Sequence, residues 1–235
     1  MIPDLERFYE LLAALERQPG QVRQLSECTG RSQWPARGVY FFREPGEYRR
    51  RPSDVPRIVR VGTHAVSANA KSTLWSRLRA HRGGQDGAGN HRGSIFRLHV
   101  GAALLARDGG QIGSLPSWGL GSSAPKAVRA GEGEHEQRVS DYLGAMSVLW
   151  IDVPDEPGAG SARAYIERNV IALLSNQFRP GDPPSDGWLG NHSPNDRIRR
   201  SGLWNLRHVD GSYDPTFLDT LADFAAGGAG VGVPG

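Results

Sequence analysis

The 235-residue chain contains one cysteine, Cys28, so it has no internal disulfide and no cysteine-rich zinc site. It has no apolar run of about eighteen residues, the minimum for a membrane-spanning helix. Met1-Ile2-Pro3-Asp4 shows neither a basic leader nor an apolar stretch. No secretory signal is expected, and a reducing cytoplasmic location is the default. There is no internal repeat and no zinc finger or other separate reader domain. Lysine is nearly missing: Lys71 and Lys126 are the only two among 28 basic residues. Arginine supplies a planar fork of donors that suits phosphate, but codon bias is the simpler explanation of the excess and agrees with the 31 glycines. A net charge of +3 and a pI near 9.3 do not by themselves identify a nucleic-acid-binding protein. With 38% hydrophobic and 23% charged residues, the chain has the composition of a globular protein.

What is present is a clear sequence of elements. Leu5, Phe8, Tyr9, Leu12 and Leu15 recur at helical spacing over 3–16, and Pro19-Gly20 stops the pattern. Gly38-Val39-Tyr40-Phe41-Phe42 reads as a strand, 43–56 as a loop, and Arg57 to Gly62 as a second strand with alternating residues. Helices are expected over 72–81, 94–106, 132–144 and 162–175, with a third strand over 147–153. Ser193-Pro194 and Gly202 bracket a later helix, as do Asp214-Pro215 and Gly227-Gly228. The expected class is α+β: a small three-stranded antiparallel or mixed sheet flanked by helices, its first two strands antiparallel, with helical N- and C-terminal additions. The expected divisions are an N-terminal helix and linker (1–35), a core (36–180) with a loop insertion at about 106–131, a helical extension (181–226) and a flexible tail (227–235).

Four residues on these elements are candidates for chemistry. Tyr40 in an aromatic strand is ordinarily a packing residue; it serves as a base only if a nearby cation stabilises its phenolate. Arg77 and His81, four apart on one helix, can both reach one phosphate, or they belong to a solvated face with Arg79 and Arg82. Glu167 falls at the edge of the stripe formed by Val170, Ile171 and Leu174. A carboxylate there calls for a partner or a metal, or else responds to the start of its helix.

In order and by element, these segments resemble the GIY-YIG nuclease family. Gly38-Val39-Tyr40 is similar to the first motif and Arg60-Val61-Gly62 to the second. Leu74 to His81 is similar to the helix that follows, and Tyr165-Ile166-Glu167 to the metal-binding segment. The resemblance spans about residues 36–180. It implies a metal-dependent endonuclease acting on double-stranded DNA. Tyr40 would help to activate water, Arg77 would bind the scissile phosphate, and His81 would assist there or relay a proton. Glu167 would hold Mg²⁺ or Mn²⁺.

The chain departs from the family pattern at three places. Arg60 stands where a tyrosine is usual; it cannot act as a base, although it can contact phosphate. The link between the first two motifs is long, and its Arg49-Arg50-Arg51 run is a candidate DNA-backbone contact. For the asparagine that often follows the glutamate helix, Asn176 is the nearest candidate and equally an ordinary helix cap, with Asn191 and Asn205 further on. Specificity would come from loops 43–56 and 106–131 or from a second subunit, in a homodimer or with a different partner. The alternative to an enzyme is a catalytically reduced nucleic-acid-binding module that retains the fold, and Arg60 is the feature in its favour. A third reading is an interaction protein whose motif matches are fortuitous.

Overall fold

The strand that begins at Gly38 organises the molecule. In a computed structural model that describes residues 3–109, 115–158 and 160–227, four strands form an antiparallel sheet. They are β1 (Val22–Gln24), β2 (Gly38–Tyr48), β3 (Pro56–Gly62) and β4 (Ser147–Asp152), in the order β1-β4-β2-β3. The α+β class and the antiparallel β2–β3 pair are as expected, but the sheet has one strand more than the sequence suggests. That strand, β1, is three mostly polar residues with no alternation to read. It exists only because Val22, Arg23 and Gln24 pair with Leu149, Val148 and Ser147. β2 also continues beyond Phe42, through Pro45 and Gly46, which look like loop residues. A register irregularity between Arg43 and Tyr48 absorbs them, in a stretch where β2 pairs with β3 alone.

Side chains alternate across β2 and divide the core in two. Val39 and Phe41 join one cluster with α1 (Pro3–Glu16), α6 (Ala162–Leu174) and α8 (Phe217–Ala225). Tyr40 and Phe42 join the other, with α2 (Leu74–Arg82), α3 (Ile95–Arg107) and α5 (Gly133–Gly144). Phe8, Phe41, Phe42 and Phe96 are completely buried. Each contributes about 2–3 kcal/mol of hydrophobic stabilisation. Two short helices, α4 (Lys126–Gly131) and α7 (Asp196–Ser201), complete the set among the described residues. Part of the expected loop insertion is therefore structured. Besides α4 it contains Trp118, whose indole fills the space that a side chain at Gly101 would occupy and stacks on His91 with centroids 3.9 Å apart. Residues 110–114 of that insertion and 228–235 of the tail lie outside the described residues.

The C-terminal extension closes the outer edge of β3. Trp204 N–H donates to Val59 O (2.8 Å), and the Asn205 amide both accepts from Val61 N–H (3.0 Å) and donates to Val61 O (2.8 Å). The indoles of Trp188 and Trp204 donate to the buried Glu44 carboxylate at 3.2 and 3.0 Å. No helix among the described residues is long and apolar enough to cross a membrane.

Candidate active site

The β2–β3 register sets Tyr40 directly opposite Gly62. The phenol lies over that glycine, and any Cβ there would overlap Tyr40 Oη and Cζ. The second motif therefore needs glycine to make room for the tyrosine of the first.

Helix α2 brings the next two groups. It starts with a capping box between Thr73 and Ser76. Leu74, Leu78 and His81 then form one buried stripe against the sheet, with Arg77 half-buried beside it. His81 is completely buried. Its Nε2 lies 2.9 Å from Tyr40 Oη and its Nδ1 2.7 Å from Ser94 Oγ. The rings of Tyr40, Phe42 and Phe96 surround it edge to face. Burial holds the imidazole well below its usual pKa, and the charges of Arg77, Arg60 and Arg97 lower it further. His81 is thus neutral, with both nitrogens engaged and no exposed surface. The sequence allows Arg77 and His81 to share one phosphate, but only Arg77 of the pair has a solvent-facing side chain. Arg77 lines a cleft of about 240 Å³ together with Ser94, Ile95 and Leu98 at the start of α3.

Arg60 lies at the centre of the charges. Its guanidinium sits 4.6 Å over the Phe96 ring and donates to Trp204 O at 2.7 Å, while its Nε is buried without a partner among the described residues. Burial lowers its pKa; Tyr40 and Glu167 counter that effect and Arg77 reinforces it.

Glu167 belongs to α6, on the opposite face of the sheet, and reaches the end of β3. There its Oε1 accepts the Thr63 N–H at 3.2 Å. Burial pushes the carboxyl above its usual pKa, against the pull of Arg60, the Thr63 N–H, Arg77 and Arg207. Arg60 and Arg77 act on both His81 and Glu167. Tyr40, Arg60, Arg77, His81 and Glu167 therefore share one electrostatic neighbourhood at the end of β3.

Other expected contacts lie elsewhere. Arg49 is 4% exposed. It forms a bidentate pair with Glu6 (2.6 and 3.0 Å) and stacks 4.2 Å over the Tyr9 ring, so it is structural and not free to contact a DNA backbone. Arg50 and Arg51 are exposed, but at the far end of the β2–β3 hairpin. That end is roughly 30 Å along the strand from Tyr40. Asn176 uses its amide on the chain itself: Nδ2 donates to Asp182 O and Ser201 O, and Oδ1 accepts from Asp182 N–H. Asn205, the remote candidate in sequence, is the asparagine that grips β3 between Arg60 and Gly62. Ser94's link to His81 has no signature in the sequence, because contacts between separate helices leave no periodicity. The same holds for Arg207 near Glu167.

No cluster of three or more His, Cys, Asp or Glu residues arranged to hold a metal occurs among the described residues. The donor set nevertheless suits a hard divalent cation. Glu167 is a carboxylate whose Oε2 takes no hydrogen bond from the described residues, and Mg²⁺ is commonly held by one or two carboxylates, with water and phosphate completing its shell.

A family model described as GIY-YIG domain matches residues 1–228. Comparisons with curated proteins and with solved structures return no match.

Proposed function

The chain belongs to the GIY-YIG domain family, a family of nuclease-type enzymes, and from that premise we propose that it is a metal-dependent endonuclease hydrolysing DNA phosphodiester bonds. The observation that carries this reading is geometric: Tyr40 Oη lies over Gly62 and 2.9 Å from His81 Nε2, and the Glu167 carboxylate is bonded to the next residue, Thr63. Arg77, half-buried and with a guanidinium that has no hydrogen-bond partner among the described residues, binds the scissile phosphate and offsets charge as the water oxygen attacks phosphorus. Tyr40 Oη takes the proton from that water as its own hydrogen passes to His81 Nε2, 2.9 Å away. Arg60 supplies a fixed positive charge beside Tyr40 where the family usually has a second tyrosine. Glu167 would hold Mg²⁺ or Mn²⁺, which when bound would polarise the phosphate and stabilise the leaving oxygen.

The test is nicking of supercoiled plasmid in Mg²⁺ or Mn²⁺, beside an EDTA control and a Glu167→Gln variant. Metal-dependent nicking by the wild type, and its loss in the variant, is the expected outcome. Nicking that continues undiminished in Glu167→Gln removes the carboxylate from the reaction. A second reading, a DNA-binding module with reduced catalysis, is favoured by one observation. Arg60 spends a donor on Trp204 O and lies over Phe96, so it leaves no second phenol at the site. Two inert proteins that both retard DNA in a gel would establish that reading.

A further inference from the structure

The outer edge of the sheet delivers a second pair of arginines to the catalytic end. The C-terminal extension runs beside β3 in the direction of the strand: Arg57 donates to Gly202 O, Trp204 N–H donates to Val59 O, and the Asn205 amide grips Val61. Two residues further on, Arg207 emerges beside Thr63, where its charge reaches the Glu167 carboxyl. The chain then turns at His208, whose backbone is left-handed (φ 65°). Beyond the turn it is laid along α6, by Ser175 Oγ donating to Val209 O and Asp214 N–H donating to Asn169 Oδ1. Val209 is buried by this path while Arg207 stays exposed. Arg168, the residue after Glu167, is exposed as well, with its guanidinium 5.0 Å over the Tyr165 ring. Burial, and then the charges of Arg168 and Arg207, hold the His208 imidazole below its usual pKa, so both guanidinium groups bear on one ring.

Neither of these exposed side chains makes a hydrogen bond or an ion pair with the described residues. The nearby acids are engaged elsewhere, Asp210 by Arg197 and Asp214 by Tyr165 and Thr216. Arg163, one turn before Glu167, is the opposite case: it is completely buried and bonded to Asp155 and to His64 O. Exposed like charges gathered without a counter-charge repel one another, and an anion relieves that repulsion. We propose that Arg168 and Arg207 bind DNA backbone phosphates flanking the scissile one, so that the duplex crosses the end of β3 and α6 and not the tip of the β2–β3 hairpin. This deepens the nuclease reading above and rests on it for the identity of the polyanion. Arg77 comes from α2 on one face of the sheet, Arg168 from α6 on the other, and Arg207 from the extension at its edge. The three cations thus span the strand end around Glu167. A duplex backbone, with about one charge per 1.7 Å of its axis, supplies an anion to each.

The test compares two charge-matched double variants of the full-length protein, Arg168→Ala/Arg207→Ala and Arg50→Ala/Arg51→Ala, each of which loses two exposed arginines. Binding of a fluorescein-labelled short DNA duplex is followed by anisotropy at several salt concentrations, in EDTA so that metal-dependent cleavage does not intervene. Losing Arg168 and Arg207 should weaken binding on the order of tenfold, uniformly across DNA sequences, and make the salt slope shallower by about 2. Losing Arg50 and Arg51 should do neither. Arg168→Lys/Arg207→Lys, which keeps both charges, should recover most of the affinity. Each single alanine variant should shift the slope by about 1, which keeps the test decisive should the double variant melt early. Equal weakening in the two double variants reveals a net-charge effect and overturns the proposal. An unchanged slope in Arg168→Ala/Arg207→Ala overturns it too, as does a wild type that holds no duplex at low salt. A protein that shows the expected binding pattern but nicks no DNA in either metal refutes the nuclease reading and leaves the phosphate contacts standing.

Discussion

Tyr40 and Gly62 face each other across β2 and β3 at van der Waals limits, with the phenol occupying the space that a side chain on Gly62 would fill. Two short motifs that look independent in the sequence are thus one packing unit. Gly62→Ala should destabilise the fold by about 1–3 kcal/mol through overpacking. It should also reduce nicking further than that loss explains, because the phenol must move. Urea unfolding and plasmid nicking measured together check this, and an alanine variant equal to wild type in both would contradict the packing.

The side chain of Arg77, unlike those of Arg60 and His81, makes no hydrogen bond or ion pair with the described residues. Arg77→Ala should therefore leave the melting temperature nearly unchanged and lower kcat by about 100–1,000-fold, the scale of losing a transition-state donor. A large drop in stability without a kinetic effect would mean that Arg77 holds the fold.

The arginine triplet divides into two roles. Arg49→Ala should cost about 3–5 kcal/mol, because it leaves Glu6 and Asp182 without their buried cation. The Arg50→Ala/Arg51→Ala double variant should be as stable as wild type and should bind short DNA with the same salt dependence, measured by titration at several salt concentrations. A shallower salt slope in the double variant would return the hairpin tip to the DNA interface.

Glu44 anchors the C-terminal extension by accepting from Trp188, Trp204 and Tyr142. Glu44→Ala strands two buried indole N–H groups and should cost about 3 kcal/mol. Chemical denaturation read by tryptophan fluorescence tests this directly, since both indoles report on the site.

Stability should fall in mild acid. Burial lowers His64 and His99 to a pKa of about 4, whereas an unfolded histidine titrates near ~6.5. The unfolded chain therefore binds protons first. The neutral histidines' contribution to stability is complete above ~6.5 and is lost as pH falls towards about 4. Glu44, Glu167 and Asp182 have raised values and act in the opposite sense, so the informative quantity is a difference between variants. His99→Leu, which also removes an unpartnered buried Nε2, should show a shallower fall in melting temperature between pH 6.5 and 4.5 than wild type. Parallel curves would remove His99 from the effect.

What the sequence determined by itself is the local pattern: α1 from its apolar spacing, the alternating halves of β2 and β3, and the segments that carry Tyr40, Arg77 and Glu167. Those properties follow from neighbours a few residues apart, and the periods of helix and strand write them directly into the chain. The tertiary structure decided which polar groups are spent inside. β1 exists through Leu149 and its neighbours, Arg49 is claimed by Glu6, and Asn205 in place of Asn176 closes the edge beside Gly62. His81 passed from a possible phosphate ligand to a buried imidazole between Tyr40 and Ser94. Each of these depends on partners distant in sequence. Burial makes an unpaired donor or charge expensive, so the pairing that the fold permits, more than the residue type, settles what each group can do.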